Sequence, residues 1–142
     1  MLILVVEDDV LLAMDIEAAL IDAGHRILGP VAWAAEVVEL VKTQTPHLAL
    51  IDLGLRDGQT GAALARYLLW RWSVHSIFIT GDRQGAIGHQ DAALGWLRKP
   101  FSHPELLKSI TLAKAMLSGT IPTLNVPTGF QPFPHIDSDR TS

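Results

Sequence analysis

With 142 residues, a 49% hydrophobic composition and a formal charge of −4, the chain suits one domain that buries roughly two-thirds of its unfolded surface. The absence of cysteine excludes a disulfide framework, a thiolate nucleophile and a cysteine zinc site. Net acidity argues against DNA binding, whose footprint is a basic stripe. The apolar runs fall well short of the ~20 residues that cross a bilayer, so no membrane association is expected and a cytoplasmic setting fits.

Leu2 to Val6 is apolar throughout and runs into Glu7-Asp8-Asp9. Without a basic start or a small-residue cleavage site, it reads as a strand rather than a signal peptide. Val10 to Ala23 carries Leu11, Met14, Ala18 and Ile21 on a helical period, with Asp9 placed to cap its start and Gly24 its end. Arg26 to Val31 is a second strand, broken by Gly29-Pro30, and Ala34 to Gln44 is a helix with Val37, Leu40 and Val41 on one face. Leu48 to Asp52 is four apolar residues ending in a carboxylate, followed by a glycine-bearing loop. That pattern is a strand buried on both faces, with Asp52 at its carboxyl end, where open α/β sheets place their chemistry.

Ala62 to Arg71 is a helix rich in alanine and leucine, with Trp70 and Trp72 near its end as packing residues or, where exposed, as a mark of a contact, and His75 to Thr80 is a β-branched, aromatic fourth strand. Gln84 to Leu94 is assigned to a helix, although Gly85 and Gly88 each cost it roughly 1 kcal/mol against alanine. Gly95 to Arg98 is a short fifth strand before Lys99-Pro100-Phe101. Ser102 caps a last helix with Pro104 and Glu105 in its first turn, running to about Leu117. Residues 119–142 hold Pro122, Pro127, Pro132 and Pro134 without periodicity. They are expected to be a tail appended to a domain of residues 1–118, either disordered, or packed on that domain, or packed on a partner.

Strands alternating with helices five times predict an α/β fold: a doubly wound five-stranded parallel sheet with helices on both faces and all strand C-termini along one edge. That edge gathers Glu7, Asp8, Asp52, Thr80 and Lys99 from distant segments; Asp9 is assigned to capping. The acids form an oxygen cluster suited to Mg²⁺, with the Gly54 backbone carbonyl as a further candidate ligand. Asp52 is then a carboxylate nucleophile able to form an aspartyl-phosphate, with Lys99 and Thr80 placed to stabilise the phosphoryl oxygens. The histidines show no paired ligand spacing. Gly54, Gly58 and Gly61 lack the Gly-Lys-Ser/Thr ending of a phosphate-binding P-loop, which argues against nucleotide binding.

The pieces Leu4-Val5-Val6-Glu7-Asp8-Asp9, Leu50-Ile51-Asp52, Asp57-Gly58, Phe78-Ile79-Thr80-Gly81 and Leu97-Arg98-Lys99-Pro100-Phe101, in this order, resemble a bacterial two-component response regulator receiver domain (CheY-like) of single-domain type. The resemblance covers roughly residues 1–118. It implies a flavodoxin-like sheet of strand order 2-1-3-4-5, Asp52 as phosphoacceptor, Asp8 as direct Mg²⁺ ligand and Glu7 as a ligand through water. It further implies Thr80 as switch hydroxyl, Lys99 as the family's lysine, a cis Lys99-Pro100 bond and Trp96 in the place of the switch aromatic. The Met-Pro common after the phosphoacceptor is replaced by Gly54-Leu55-Arg56. Thr80-Gly81 is similar to the alphaproteobacterial Phe-x-Thr-Gly subgroup, although Asp82-Arg83 departs from that subgroup's continuation. The implied partners are a sensor histidine kinase, by preference of HWE type, and an unidentified downstream protein; a homodimer is left open. On this reading the chain is an acceptor, not a turnover enzyme. The alternatives are a pseudo-receiver that binds partners independently of phosphate, and a metal-dependent aspartyl phosphatase. The second lacks the acid that such enzymes carry at position 54.

Overall fold

Every residue of the runs Leu2–Val6 (β1), Leu48–Asp52 (β3) and Ser76–Thr80 (β4) is buried, which is why these strands read as continuous apolar stretches rather than alternating ones. A computed structural model describes residues 1–55, 60–120 and 126–134. Parallel pairing orders five strands β2-β1-β3-β4-β5, with β2 at Arg26–Val31 and β5 at Gly95–Arg98. Helices α1 (Val10–Asp22), α2 (Ala34–Thr43), α3 (Gly61–Trp72), α4 (Arg83–Gly88) and α5 (His103–Leu117) connect and follow them.

Strand alternation divides the core into two layers. Leu4, Ile51 and Phe78 face Val41 of α2 and Leu68 of α3, whereas Val5, Leu50 and Ile79 face Ile16 of α1 and Ile110 of α5. Helix starts follow the sequence's capping signals. The Asp9 side chain accepts from Leu11 N–H and Leu12 N–H, and Ser102 and Glu105 close a reciprocal capping box on α5. These caps fix where the β1–α1 and β5–α5 loops enter their helices, and both loops border the edge that carries the acids.

Two expectations are corrected. Among the described residues the sheet has six strands, not five: Phe130–Pro132 forms β6, antiparallel to β5. A three-residue strand is too short to show alternation, and its proline, Pro132, speaks against a strand until it is recognised as an edge. The helix expected over Gln84 to Leu94 is only the short α4, followed by a 3₁₀ turn at Gln90–Ala92. Gly88 ends α4, and the chain tightens before re-entering the sheet at β5. The bonds Gly29-Pro30 and Lys99-Pro100 are both cis, the second as the resemblance implied. Asp57-Gly58 lies outside the described residues, as do positions 121–125 and 135–142 of the tail. Among the described residues no helix is long and apolar enough to cross a membrane.

Candidate functional site

Parallel strands that start in register deliver their C-terminal residues to one rim. Val6 pairs with Ile51 and Asp52 with Ile79, so Glu7, Asp52 and Thr80 emerge side by side. Carboxylate oxygens of Glu7, Asp8 and Asp52 lie within 4.8 Å of one another. Glu7 and Asp52 are buried, at 2% and 5% exposure, whereas Asp8 is partly open to solvent. Two buried acids and a third beside them require positive charge. Lys99, from the loop after β5, supplies part of it: its Nζ is in direct contact with Glu7 Oε1 and lies 3.4 Å from Asp52 Oδ2.

One ammonium does not balance three carboxylates. Burial pushes the Glu7 carboxyl up to about 7, only partly offset by the Asp9 N–H and by Lys99, while the neighbouring Asp52 raises it further. Burial also disfavours the Lys99 charge, but Glu7 and Asp52 outweigh this and hold its pKa above the ordinary lysine value. A divalent cation with a preference for oxygen ligands fits this set: hard donors only, partly open at Asp8, with a buried carboxyl that keeps its proton to near neutrality for want of charge.

The remaining candidates fall into place around Asp52. Gly54 is exposed, and its N–H donates to Asp52 Oδ1 at 2.9 Å. Thr80 ends β4 at 7% exposure, and its Oγ1 accepts from the Asp82 N–H at 3.1 Å, which leaves the hydroxyl hydrogen free to donate. Trp96 lies in the α2–α3 layer at 3% exposure, and its Nε1–H donates to the Thr80 main-chain carbonyl at 2.9 Å. Asp9 caps α1.

One contributor was missed by sequence reasoning. Gly61, the first residue of α3, packs so closely beneath β3 that a Cβ would collide with the Asp52 carbonyl oxygen and stand 3.0 Å from Leu53 Cα. The available signal was a glycine at the start of a helix rich in alanine and leucine.

The sequence profile of the response regulator receiver domain matches residues 3–111. The chain belongs to that family. Among curated relatives, this receiver is 38% identical over 101 residues to the phyllosphere-induced regulator PhyR of Methylorubrum extorquens, covering 70% of this chain and 38% of PhyR. It is 31% identical over 133 residues to the transcriptional regulatory protein PdtaR of Mycobacterium tuberculosis, covering 87% of this chain and 64% of PdtaR. The receiver thus spans less than two-thirds of either curated relative. Among solved structures, the signal receiver domain of a modulated diguanylate cyclase from Desulfovibrio desulfuricans G20 superposes with a TM-score of 0.73 at 28% identity, covering 82% of this chain and 97% of that one. The α/β receiver fold and the place of this chain among two-component response regulators follow from these matches.

Proposed function

We propose that this receiver accepts a phosphoryl group from a phosphohistidine of a sensor histidine kinase onto the Asp52 carboxylate, with Mg²⁺ held by Glu7, Asp8 and Asp52, and that the modified form changes which proteins it binds. The observation that carries this reading is the contact of one ammonium, Lys99, with both Glu7 and Asp52 beside the partly open Asp8.

An Asp52 oxygen attacks phosphorus, the phosphorus–nitrogen bond to the kinase imidazole breaks with its electron pair leaving on nitrogen, and an acyl phosphate remains on Asp52. Bound magnesium supplies charge neutralisation for the carboxylates and the phosphoryl oxygens. Lys99 adds a cation on the Oδ2 side, the Gly54 N–H holds Oδ1, and the Thr80 hydroxyl, free to donate, offers a hydrogen bond to the added group. Val10, Leu11 and Met14 of α1 lie exposed next to Asp8. This apolar rim suits a protein donor better than a small metabolite. The Phe78-Ile79-Thr80-Gly81 motif favours a kinase of HWE type. A phosphatase reading gains nothing from position 54, where Gly54 offers no acid.

Incubation with a small phosphodonor and Mg²⁺, followed by intact mass, tests the proposal. The wild type gains one phosphoryl group and Asp52→Asn gains none; equal gains in both proteins would remove Asp52 from this role.

A further inference from the structure

The segment that joins β4 to β5 is tied at both ends and borders open space between them. At its start the Asp82 N–H donates to Thr80 Oγ1 at 3.1 Å, while the Asp82 side chain gives α4 no cap. At its finish Arg66 of α3 holds the 3₁₀ turn. Arg66 Nε and Nη2 donate to the two Asp91 oxygens at 3.1 and 2.9 Å, and Nη2 also meets His89 Nδ1 at 3.0 Å. A guanidinium only donates, so that ring nitrogen is the acceptor and the neutral imidazole carries its proton on Nε2. Between the two ties lies a cavity of about 180 Å³, bordered by Leu53, Gly54, Ala62, Thr80, Gly85 and His89.

The other neighbour of Thr80 has no such room. Trp96 is 3% exposed, bonds the Thr80 carbonyl, and stands in the sheet between Phe78 of β4 and Gln131 of β6. Strand β6 presses on this part of β5. A Cβ on Gly95 would stand 2.5 Å from the Phe130 ring, and Phe133 meets Phe78 edge-on with centroids 6.5 Å apart. Rotating the indole outward would break a buried hydrogen bond and leave a void in the core.

A Thr80 hydroxyl that closes on a phosphoryl oxygen carries its Oγ1, and the Asp82 N–H bonded to it, toward Asp52. The pull has a path to follow. Ala86 N–H bonds the Asp82 carbonyl, His89 N–H the Ala86 carbonyl and Ala92 N–H the His89 carbonyl, which chains the segment from one tie to the other. Arg66 resists at the far end, and its pair with Asp91 is exposed, so it resists by no more than about fivefold in an equilibrium. We propose that Arg66 is a latch: its bonds to Asp91 and His89 hold residues 82–92 in place in the resting chain, and they open when the phosphoryl group draws Thr80 and Asp82 inward. The surface that changes is then the one between α3 and α4, while Trp96 stays where it is. The latch rests on the phosphoryl-transfer reading above; both arms of such a two-state element bias the same equilibrium.

The chain is loaded from a small phosphodonor with Mg²⁺, the loading is checked by intact mass, and hydrogen exchange is followed. In the loaded wild type the His89 and Ala92 amides should exchange at least about tenfold faster, while the Leu94 and Arg98 amides of the β5 region keep their rates. Arg66→Ala should show the fast rates before loading and gain nothing further on loading. Arg66→Ala and Asp91→Ala should also bind the phosphoryl analogue beryllofluoride, with Mg²⁺, about two- to fivefold more tightly than the wild type, because no latch is left to open. A mere loss of structure would weaken that binding instead. A mass gain with unchanged exchange at residues 89–92, or equal or weaker beryllofluoride binding by both variants, overturns the latch and leaves phosphoryl transfer standing. No mass gain in the wild type removes the transfer, and the latch with it.

Discussion

The indole of Trp96 donates to the main-chain carbonyl of Thr80 at 2.9 Å, so the residue in the place of the family's switch aromatic is bound to the backbone of the residue in the place of the switch hydroxyl. The same carbonyl accepts the Lys99 N–H at 3.0 Å. Replacing Trp96 by Phe therefore removes one of two donors and some buried volume, without orphaning the oxygen. The expected loss is about 1–2 kcal/mol in urea unfolding followed by circular dichroism, with phosphoryl uptake from a small donor retained. Loss of uptake in a folded Trp96→Phe protein would give Trp96 a direct part in the chemistry, which this geometry does not predict.

Lys99 is the cation closest to Glu7 and Asp52 among the described contacts. Lys99→Met strands two buried carboxylates, but Glu7 can answer by keeping its proton, which limits the cost near neutrality. We expect a stability loss of about 2 kcal/mol at pH 7.5, growing toward pH 9. Saturating Mg²⁺ should recover most of it, because the metal restores the missing positive charge. Urea unfolding with and without Mg²⁺ measures this; a loss that Mg²⁺ does not touch would place the cation away from these acids.

Asp52 was legible in the sequence because a buried strand that ends in a carboxylate is rare enough to demand company, and Thr80 ends a strand while Glu7, Asp8 and Lys99 sit just past strand ends. What the sequence could not give was the unequal burial of those acids. Glu7 keeps its proton to near neutrality because the fold buries it and brings Asp52 beside it, against the partial offset of the Asp9 N–H and Lys99. Strand β6 was hidden for a different reason: its length leaves no periodicity, and its signal was divided between Gly95 on one strand and Phe130 and Phe133 on another. The shortness of α4 was half visible in Gly85 and Gly88, whose summed propensity cost the expected helix did not overcome. Gly61 was silent, since only the approach of α3 to the Asp52 backbone reveals its need.

That approach makes Gly61→Ala informative. The added methyl would collide with the Asp52 carbonyl oxygen, and backbone cannot yield as a flexible side chain does. Overpacking of this kind costs about 1–3 kcal/mol, and relief by moving α3 would shift Asp52 relative to Lys99. We expect a lower unfolding midpoint together with slower phosphoryl uptake. An alanine variant with wild-type stability would mean that α3 slides freely beneath β3.

Glu7 sets a pH dependence whose sign is fixed by the direction of its shift. Its carboxyl titrates near 7 in the fold, against 4.5 ordinarily, so between these values the folded chain holds a proton that the unfolded chain has lost. Stability contributed by that proton is fully present below pH 4.5 and is lost as pH rises through about 7. The loss is at most about 3 kcal/mol across the window. It should appear as a falling stability in the metal-free wild type that is absent in Glu7→Gln. Magnesium competes with the same proton, so its affinity should rise by up to about tenfold per pH unit below 7 and level off above it. Calorimetric titration in two buffers of different ionisation enthalpy would detect the proton released on binding at pH 6. A magnesium affinity that is the same at pH 5.5 and 7.5 would show that Glu7 takes no part in holding the cation.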